Sequence, residues 1–91
     1  MKYNFIINSK MQNMIDLAKG TNYANKLYPQ LVNYLIRQKP NGYSQSEVEA
    51  IMNNYLDDMT NEKHITEFRE LQDYRIACKQ EAKRLLGLEE D

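Results

Sequence analysis

Two side chains of this sequence are suited to nucleophilic or metal chemistry, a single histidine, His64, and a single cysteine, Cys78. Both fall on one predicted helix, where a rise of 1.5 Å per residue separates them by about 21 Å along the axis. They therefore cannot form a Cys–His pair within one chain. The sequence has no Cys/His cluster with metal-ligand spacing and no glycine-rich phosphate loop. We expect no catalytic, cofactor-binding or metal-binding residue, and a protein that is not an enzyme.

The positions of these two residues favour structural roles. Cys78 lies on the apolar side of its predicted helix, between Arg75 and Ala82. A buried thiol in such a place acts as a small hydrophobic side chain, so we expect it to be unreactive. His64 lies just inside the start of the helix, where we expect it to be exposed.

Carboxylates gather around the junction of two predicted helices, in residues 57–73. Such a cluster is either a solvated face or a surface that attracts a basic site on another protein. Tyrosine, which follows the cluster at position 74, is enriched at binding surfaces. The residues predicted to bind a partner protein are Asp57, Asp58, Glu62, Glu67, Glu70, Asp73 and Tyr74.

Seven tyrosines and five methionines provide the other unusual feature of the composition. Tyr28, Tyr34 and Tyr55 lie on or beside apolar stripes, which predicts that they are core residues. Tyr3, Tyr23, Tyr43 and Tyr74 have no such clear place. Methionine adapts its shape to its neighbours, so core packing and an adaptable binding surface both account for this composition. The methionines of such a surface would be Met11, Met14, Met52 and Met59.

The net charge of −1 conceals two oppositely charged halves. Residues 1–39 contain six Lys/Arg and one Asp, a net charge of +5. Residues 40–91 contain six Lys/Arg and twelve Asp/Glu, a net charge of −6. The halves either attract each other, within one chain or head to tail, or bind partners of opposite charge.

Apolar residues at a 3.6-residue spacing predict four helices. The first covers 9–19, from a capping box that begins at Ser9 to the turn at Gly20. The second covers 29–38, because proline is tolerated in a first turn but costs about 3 kcal/mol inside a helix. The third covers 46–59, after overlapping capping boxes at Ser44 and Ser46. The fourth covers 62–86 and ends at Gly87. The predicted core residues of the last two helices are Ile51, Tyr55, Leu56, Phe68 and Leu71.

The fourth helix is long for a chain of this size. Its 25 residues extend about 37 Å, whereas a globule of 91 residues is about 31 Å across, so the helix spans the domain or projects from it. Arg75 interrupts its apolar seam. Either the Arg75 stem packs at the edge of the seam, or a second subunit supplies a carboxylate across a homodimer.

Together these elements predict an all-α fold, a small bundle of three to four helices with a short N-terminal extended segment. We expect a single helical domain over 1–91, with an extended arm at 1–8 and a frayed acidic tail at 88–91. Tyr3, Phe5 and Ile7 would share one face of the arm. No apolar run approaches the roughly 20 residues of a membrane span, and there is neither a signal-peptide core nor a disulfide, so we expect a cytoplasmic protein with no membrane partner.

The layout of residues 2–38, a short alternating segment followed by two helices around a glycine turn, resembles the ribbon-helix-helix DNA-binding family. In that family two strands pair across a dimer and lie in the major groove of DNA. The resemblance implies duplex DNA as a partner, with side chains of the segment facing the bases and the backbone of the turn meeting phosphate. The implied DNA-binding residues are Lys2, Asn4, Ile6, Thr21 and Asn22.

Two functions follow from these observations. The first is a small non-enzymatic adaptor or inhibitor that binds another protein, one with a basic surface, through an acidic and Tyr/Met-rich helical surface. The alternative is a dimeric, ribbon-helix-helix-like transcriptional regulator that uses the basic N-terminal third.

Overall fold

The computed structural model describes residues 3–38 and 42–88, and these residues form four helices. The helices are α1 (Ser9–Ala18), α2 (Tyr23–Ile36), α3 (Gln45–Asp57) and α4 (Glu62–Leu86). No strand forms in the described ranges, which confirms the prediction of a small all-α bundle. Lys2 and residues 89–91 of the predicted tail lie outside the described residues.

The residue that caps the start of α1 lies one position before the predicted one. The N-cap is Asn8, whose side-chain oxygen accepts a 2.8 Å hydrogen bond from the backbone N–H of Met11, so the capping box predicted at Ser9 was wrong. Asparagine serves this role as well as serine because both offer a short oxygen acceptor. After the helix Gly20 has φ of +77°, the left-handed conformation that glycine adopts without strain.

The second helix starts six residues before Pro29, so the prediction that it begins at Pro29 was wrong. Pro29 lies inside α2 and is exposed. The proline removes one backbone hydrogen bond, but Ala24 and Leu27, both before it, are buried against the rest of the bundle. Their burial offsets the loss, because most helical stability in proteins comes from packing an apolar face.

Helices α3 and α4 begin and end close to the predicted positions. A complete capping box joins Ser44 to Glu47, which selects the first of the two candidate boxes. The Asn61 side chain accepts hydrogen bonds from two N–H groups at the start of α4. Gly87 ends α4 with φ of +70°, as a glycine C-cap does.

The core lies between α1, α2 and α4. Its fully buried side chains include Ile15 from α1, Leu31 and Leu35 from α2, and Tyr74 and Cys78 from α4. Among the helices α3 packs only against α4, and none of its residues is buried.

Because α3 has a single helical neighbour, the prediction for the core of α3 and α4 holds only in part. Leu71 is fully buried, whereas Ile51, Tyr55 and Phe68 are half-buried, the last two as stacked rings 4.0 Å apart. Leu56, predicted to be core, is 62% exposed.

The extended segment before α1 alternates as predicted, with Tyr3, Phe5 and Ile7 half-buried and Asn4 and Ile6 exposed. Its inner face packs on the helical core. The ring of Tyr3 meets that of Tyr74 edge to face at 4.9 Å between centroids, and the Asn8 N–H donates to the Tyr34 hydroxyl at 3.0 Å.

The molecule is elongated, 45 × 28 × 23 Å, with a radius of gyration of 14.9 Å. Its longest dimension exceeds the roughly 31 Å expected of a compact globule, in agreement with a long α4. Arg75 is half-buried, a degree of burial compatible with a stem at the edge of the seam.

Candidate binding surface

The two residues suited to chemistry lie far apart on α4 in different surroundings. Cys78 is fully buried, and burial raises the pKa of its thiol to about 11. His64 is half-buried rather than exposed as predicted, and its Nδ1 atom is enclosed with no hydrogen-bond partner. In the described residues no group of three or more His, Cys, Asp or Glu side chains is placed to hold a metal ion.

The predicted acidic surface is spread along the α3–α4 hairpin. Asp57, Asp58 and Glu62 surround the connecting loop and are exposed. The other three carboxylates, Glu67, Glu70 and Asp73, follow along α4, whose rise places the last of them about 16 Å from Glu62.

Part of this acidic charge faces the start of α3. The phenol of Tyr43 has a raised pKa because it is partly buried and because the carboxylates of Glu70, Glu47 and Glu67 act on it. Glu67 and Glu70 are therefore close enough to act on Tyr43, which precedes α3. The six predicted carboxylates thus extend from the loop along about 16 Å of α4.

Tyr74, predicted as a contact residue for a partner, is instead a core residue. It is 1% exposed, and its hydroxyl donates a hydrogen bond to the carbonyl oxygen of Leu35. The rings of Tyr3, Phe5 and Tyr43 surround it. Their packing covers a side of α4 that would otherwise present this ring to a partner.

One side of α3 presents apolar side chains to the exterior. Met52 and Leu56 are exposed and lie four residues apart, so they share one side of the helix with Glu49. Met59, in the loop after α3, is also exposed. We call these four residues, Glu49, Met52, Leu56 and Met59, the α3 face.

The stretch of chain that contains the α3 face is acidic. Residues 42–62 contain five carboxylates and no Lys or Arg. Hydrogen bonds from the Thr60 hydroxyl and N–H hold the pKa of Asp58 below its ordinary value, so this carboxylate is charged at neutral pH. The α3 face therefore combines exposed apolar area with acidic neighbours in the chain.

A second apolar feature lies where α1 meets α2. An open groove of about 370 Å³ is lined by Met14, Leu17, Ala18, Tyr23 and Leu27. Ala18 and Leu27 are buried, whereas Leu17 is 81% exposed and Tyr23 is 68% exposed. The Nζ atom of Lys26 lies 5.5 Å from the centroid of the Tyr23 ring. We call these five lining residues the α1–α2 groove.

The residues implied by the ribbon-helix-helix resemblance occupy the two ends of α1. Asn4 and Ile6 are exposed in the segment before the helix. Thr21 and Asn22 are exposed in the turn after it, about 15 Å away along a helix of ten residues. The Thr21 hydroxyl accepts a 3.1 Å hydrogen bond from the N–H of Tyr23, so one N–H at the start of α2 is satisfied internally.

The sequence did not point to the α1–α2 groove, and of the α3 face it indicated only Met52 and Met59, as residues of an adaptable surface. Leu17 lies outside the apolar stripe of α1, which is itself a signal that a leucine projects from the helix. The exposure of Leu56 had no such signal, because it shares the apolar spacing of α3.

No protein-family model, curated protein or solved structure matches this chain. In the described residues no helix is long and apolar enough to cross a membrane. The surfaces of this chain are therefore the basis for inferring its function.

Proposed function

We propose that this protein is a small adaptor or inhibitor that binds another protein through the α3 face. The observation that supports the proposal is the exposure of Met52 and Leu56 on α3 and of Met59 just after it. Among the described helices α3 packs on α4 alone, so this side of it is not covered by another helix. Met52 and Leu56, four residues apart on α3, have the spacing of the anchors by which an amphipathic helix enters a groove on a partner.

The chemistry of the α3 face specifies the kind of partner. Met52 and Leu56 require an apolar groove, and methionine adapts to the shape of that groove. Asp57, Asp58 and Glu62 at the loop end favour lysine or arginine on the rim of the partner site, because complementary charge steers association and excludes wrong partners. The proposed partner is thus a protein with an apolar groove bordered by basic residues.

A crosslinking experiment tests this proposal. A photoreactive amino acid is placed at position 56 in the full chain, and a matched probe is placed at Gln80, which is exposed on α4. Cell extract is irradiated with each protein, and the adducts are identified by mass spectrometry. We expect an adduct with a different protein from position 56 and none from position 80.

Titration of the purified partner provides the decisive measurement. Leu56→Ala should raise the Kd by about 30-fold, the effect of losing an interface anchor worth about 2 kcal/mol. Gln80→Ala should leave the Kd unchanged, and added salt should weaken binding. Equal adducts at both positions, or a Kd that Leu56→Ala does not alter, would contradict the proposal.

A second candidate is duplex DNA binding by the N-terminal segment, for which the supporting observation is the outward position of Asn4 and Ile6. Mobility-shift titrations at roughly 50 and 200 mM salt test it, because phosphate contacts make affinity fall steeply with salt. Asn4→Ala should weaken a specific complex. Failure to shift duplex DNA at the lower salt concentration would exclude this candidate.

A further inference from the structure

The α1–α2 groove is an open apolar surface formed by the basic N-terminal half of the chain. Its floor, Ala18 and Leu27, is buried, and its rim, Leu17 and Tyr23, is largely exposed. A buried floor between projecting apolar side chains can hold an apolar side chain inserted from another helix.

Two lysines, Lys10 and Lys26, lie beside this groove. Lys10 lies four residues before Met14 and seven before Leu17, so it shares their side of α1. Lys26 lies over the ring of Tyr23, which forms part of the rim.

The only carboxylate in residues 3–38 is that of Asp16. Its Oδ1 atom accepts a 2.9 Å hydrogen bond from Gln12 Nε2. Both of these residues lie on a different side of α1 from Met14 and Leu17. Within residues 3–38 the groove therefore has two lysines and no carboxylate on its side of α1.

The α3 face of the same chain has the complementary chemistry. It exposes Met52, Leu56 and Met59 within a stretch that has five carboxylates and no basic residue. In the described residues α3 contacts no helix other than α4, so one chain leaves its α3 face and its groove open together. We infer that the α3 face of one copy docks in the α1–α2 groove of a second copy.

This contact joins two different surfaces, so a dimer still presents one open groove and one open α3 face, each on a different copy. Association of this kind is head to tail, and it continues into longer assemblies unless the rotation between copies closes a ring. The inference rests on the proposed use of the α3 face as a binding element. Self-association would then compete with the partner for the same side chains, Met52 and Leu56.

Sedimentation of two complementary variants tests this inference. Leu17→Glu disables the groove and leaves the α3 face intact, whereas Leu56→Glu disables the α3 face and leaves the groove intact. Both changes replace exposed side chains, so both proteins should fold. A third variant, Gln80→Glu, adds the same charge at an exposed position of α4 as the control.

The expected results are specific to a head-to-tail contact. The wild-type chain and Gln80→Glu should grow in mass between micromolar and millimolar concentrations, and salt should reduce that growth. Leu17→Glu and Leu56→Glu should each be monomeric alone, with the Kd for self-association raised at least about 30-fold. Mixed in equal amounts, they should form a dimer of one copy of each.

Other results would overturn the inference. Self-association by Leu17→Glu alone would mean that the α3 face pairs with itself, and self-association by Leu56→Glu alone would mean the same of the groove. A wild-type chain that remains monomeric, or a mixture that forms no dimer, would remove the head-to-tail contact altogether. Those results would not contradict the proposed function, because the crosslink from position 56 to a different protein is measured separately.

Discussion

The hydroxyl of Tyr74 on α4 donates a 2.8 Å hydrogen bond to the carbonyl oxygen of Leu35 on α2. Both residues are buried, and the bond joins two helices through residues 39 positions apart in the chain. The same ring contacts Tyr3 and Tyr43, so a single side chain connects the extended segment, the start of α3 and two helices of the core.

Removal of this hydroxyl should reduce stability by a modest amount. We predict that Tyr74→Phe lowers the free energy of unfolding by about 0.5–1.5 kcal/mol, the net value of a typical hydrogen bond. The loss stays in this range because the Leu35 carbonyl also accepts from the N–H of Gln38. Urea unfolding measures the change, with Tyr23→Phe on the exposed rim as a control that should differ from wild type by less than about 0.5 kcal/mol. Equal losses in the two variants would contradict this role.

Two leucines on the last two helices should differ sharply when truncated. We predict that Leu71→Ala lowers the free energy of unfolding by about 2–5 kcal/mol, because it leaves a cavity at a fully buried site. Leu56→Ala should change it by less than about 0.5 kcal/mol, since that side chain is mostly exposed. A large loss for Leu56→Ala would show that the side chain is covered in the folded protein.

The place of Pro29 inside α2 predicts a stabilising substitution. Alanine at this position restores a backbone donor and removes a clash, so Pro29→Ala should raise the free energy of unfolding by about 1–3 kcal/mol. Thermal unfolding followed by circular dichroism measures the change, and Gln30→Ala on the same exposed side of α2 is the matched control. If α2 instead began at Pro29, where proline is favoured, the substitution would not stabilise the protein.

The Cys78 thiol should resist modification in the folded protein. Its full burial excludes reagents, and the pKa of about 11 leaves almost no thiolate at pH 8. We predict that labelling is slow in buffer and becomes fast once urea unfolds the chain. Rapid labelling without denaturant would contradict the burial of this thiol.

The same pKa predicts a loss of stability at alkaline pH. Burial raises the pKa of Cys78 from an ordinary 9.0 to about 11. Between these values the unfolded chain releases a proton that the folded chain retains, so the free energy of unfolding falls as pH rises. Burial raises the pKa of Tyr43 and Tyr74 as well, which adds to the fall above pH 10, the ordinary value of tyrosine.

Urea unfolding between pH 8 and about 10.5 measures this dependence. The Cys78→Ala variant should lose the part of the slope that begins near pH 9 and keep the tyrosine part. A free energy of unfolding that stays constant over this range in the wild-type chain would contradict the raised pKa values.

Apolar periodicity and local capping chemistry determined much of this fold in advance. The helical class, the bounds of α4, the capping box at Ser44 and the burial of Leu71 and Cys78 all follow from interactions between residues a few positions apart. The acidic charge near the loop after α3 was also evident from the sequence, because charge does not depend on how the helices pack.

Only the tertiary structure decided which predicted faces are covered. Periodicity shows that Leu56 shares the apolar spacing of α3. Among the described helices α3 packs on α4 alone, and α4 covers only part of that surface. Tyr74 is buried for the opposite reason, since aromatic rings distant in the chain close over it. Packing against the bundle likewise extends α2 back past Pro29, against local propensity. A sequence pattern identifies the residues that share a face, whereas the number and position of neighbouring elements determine which of those faces remain open to a partner.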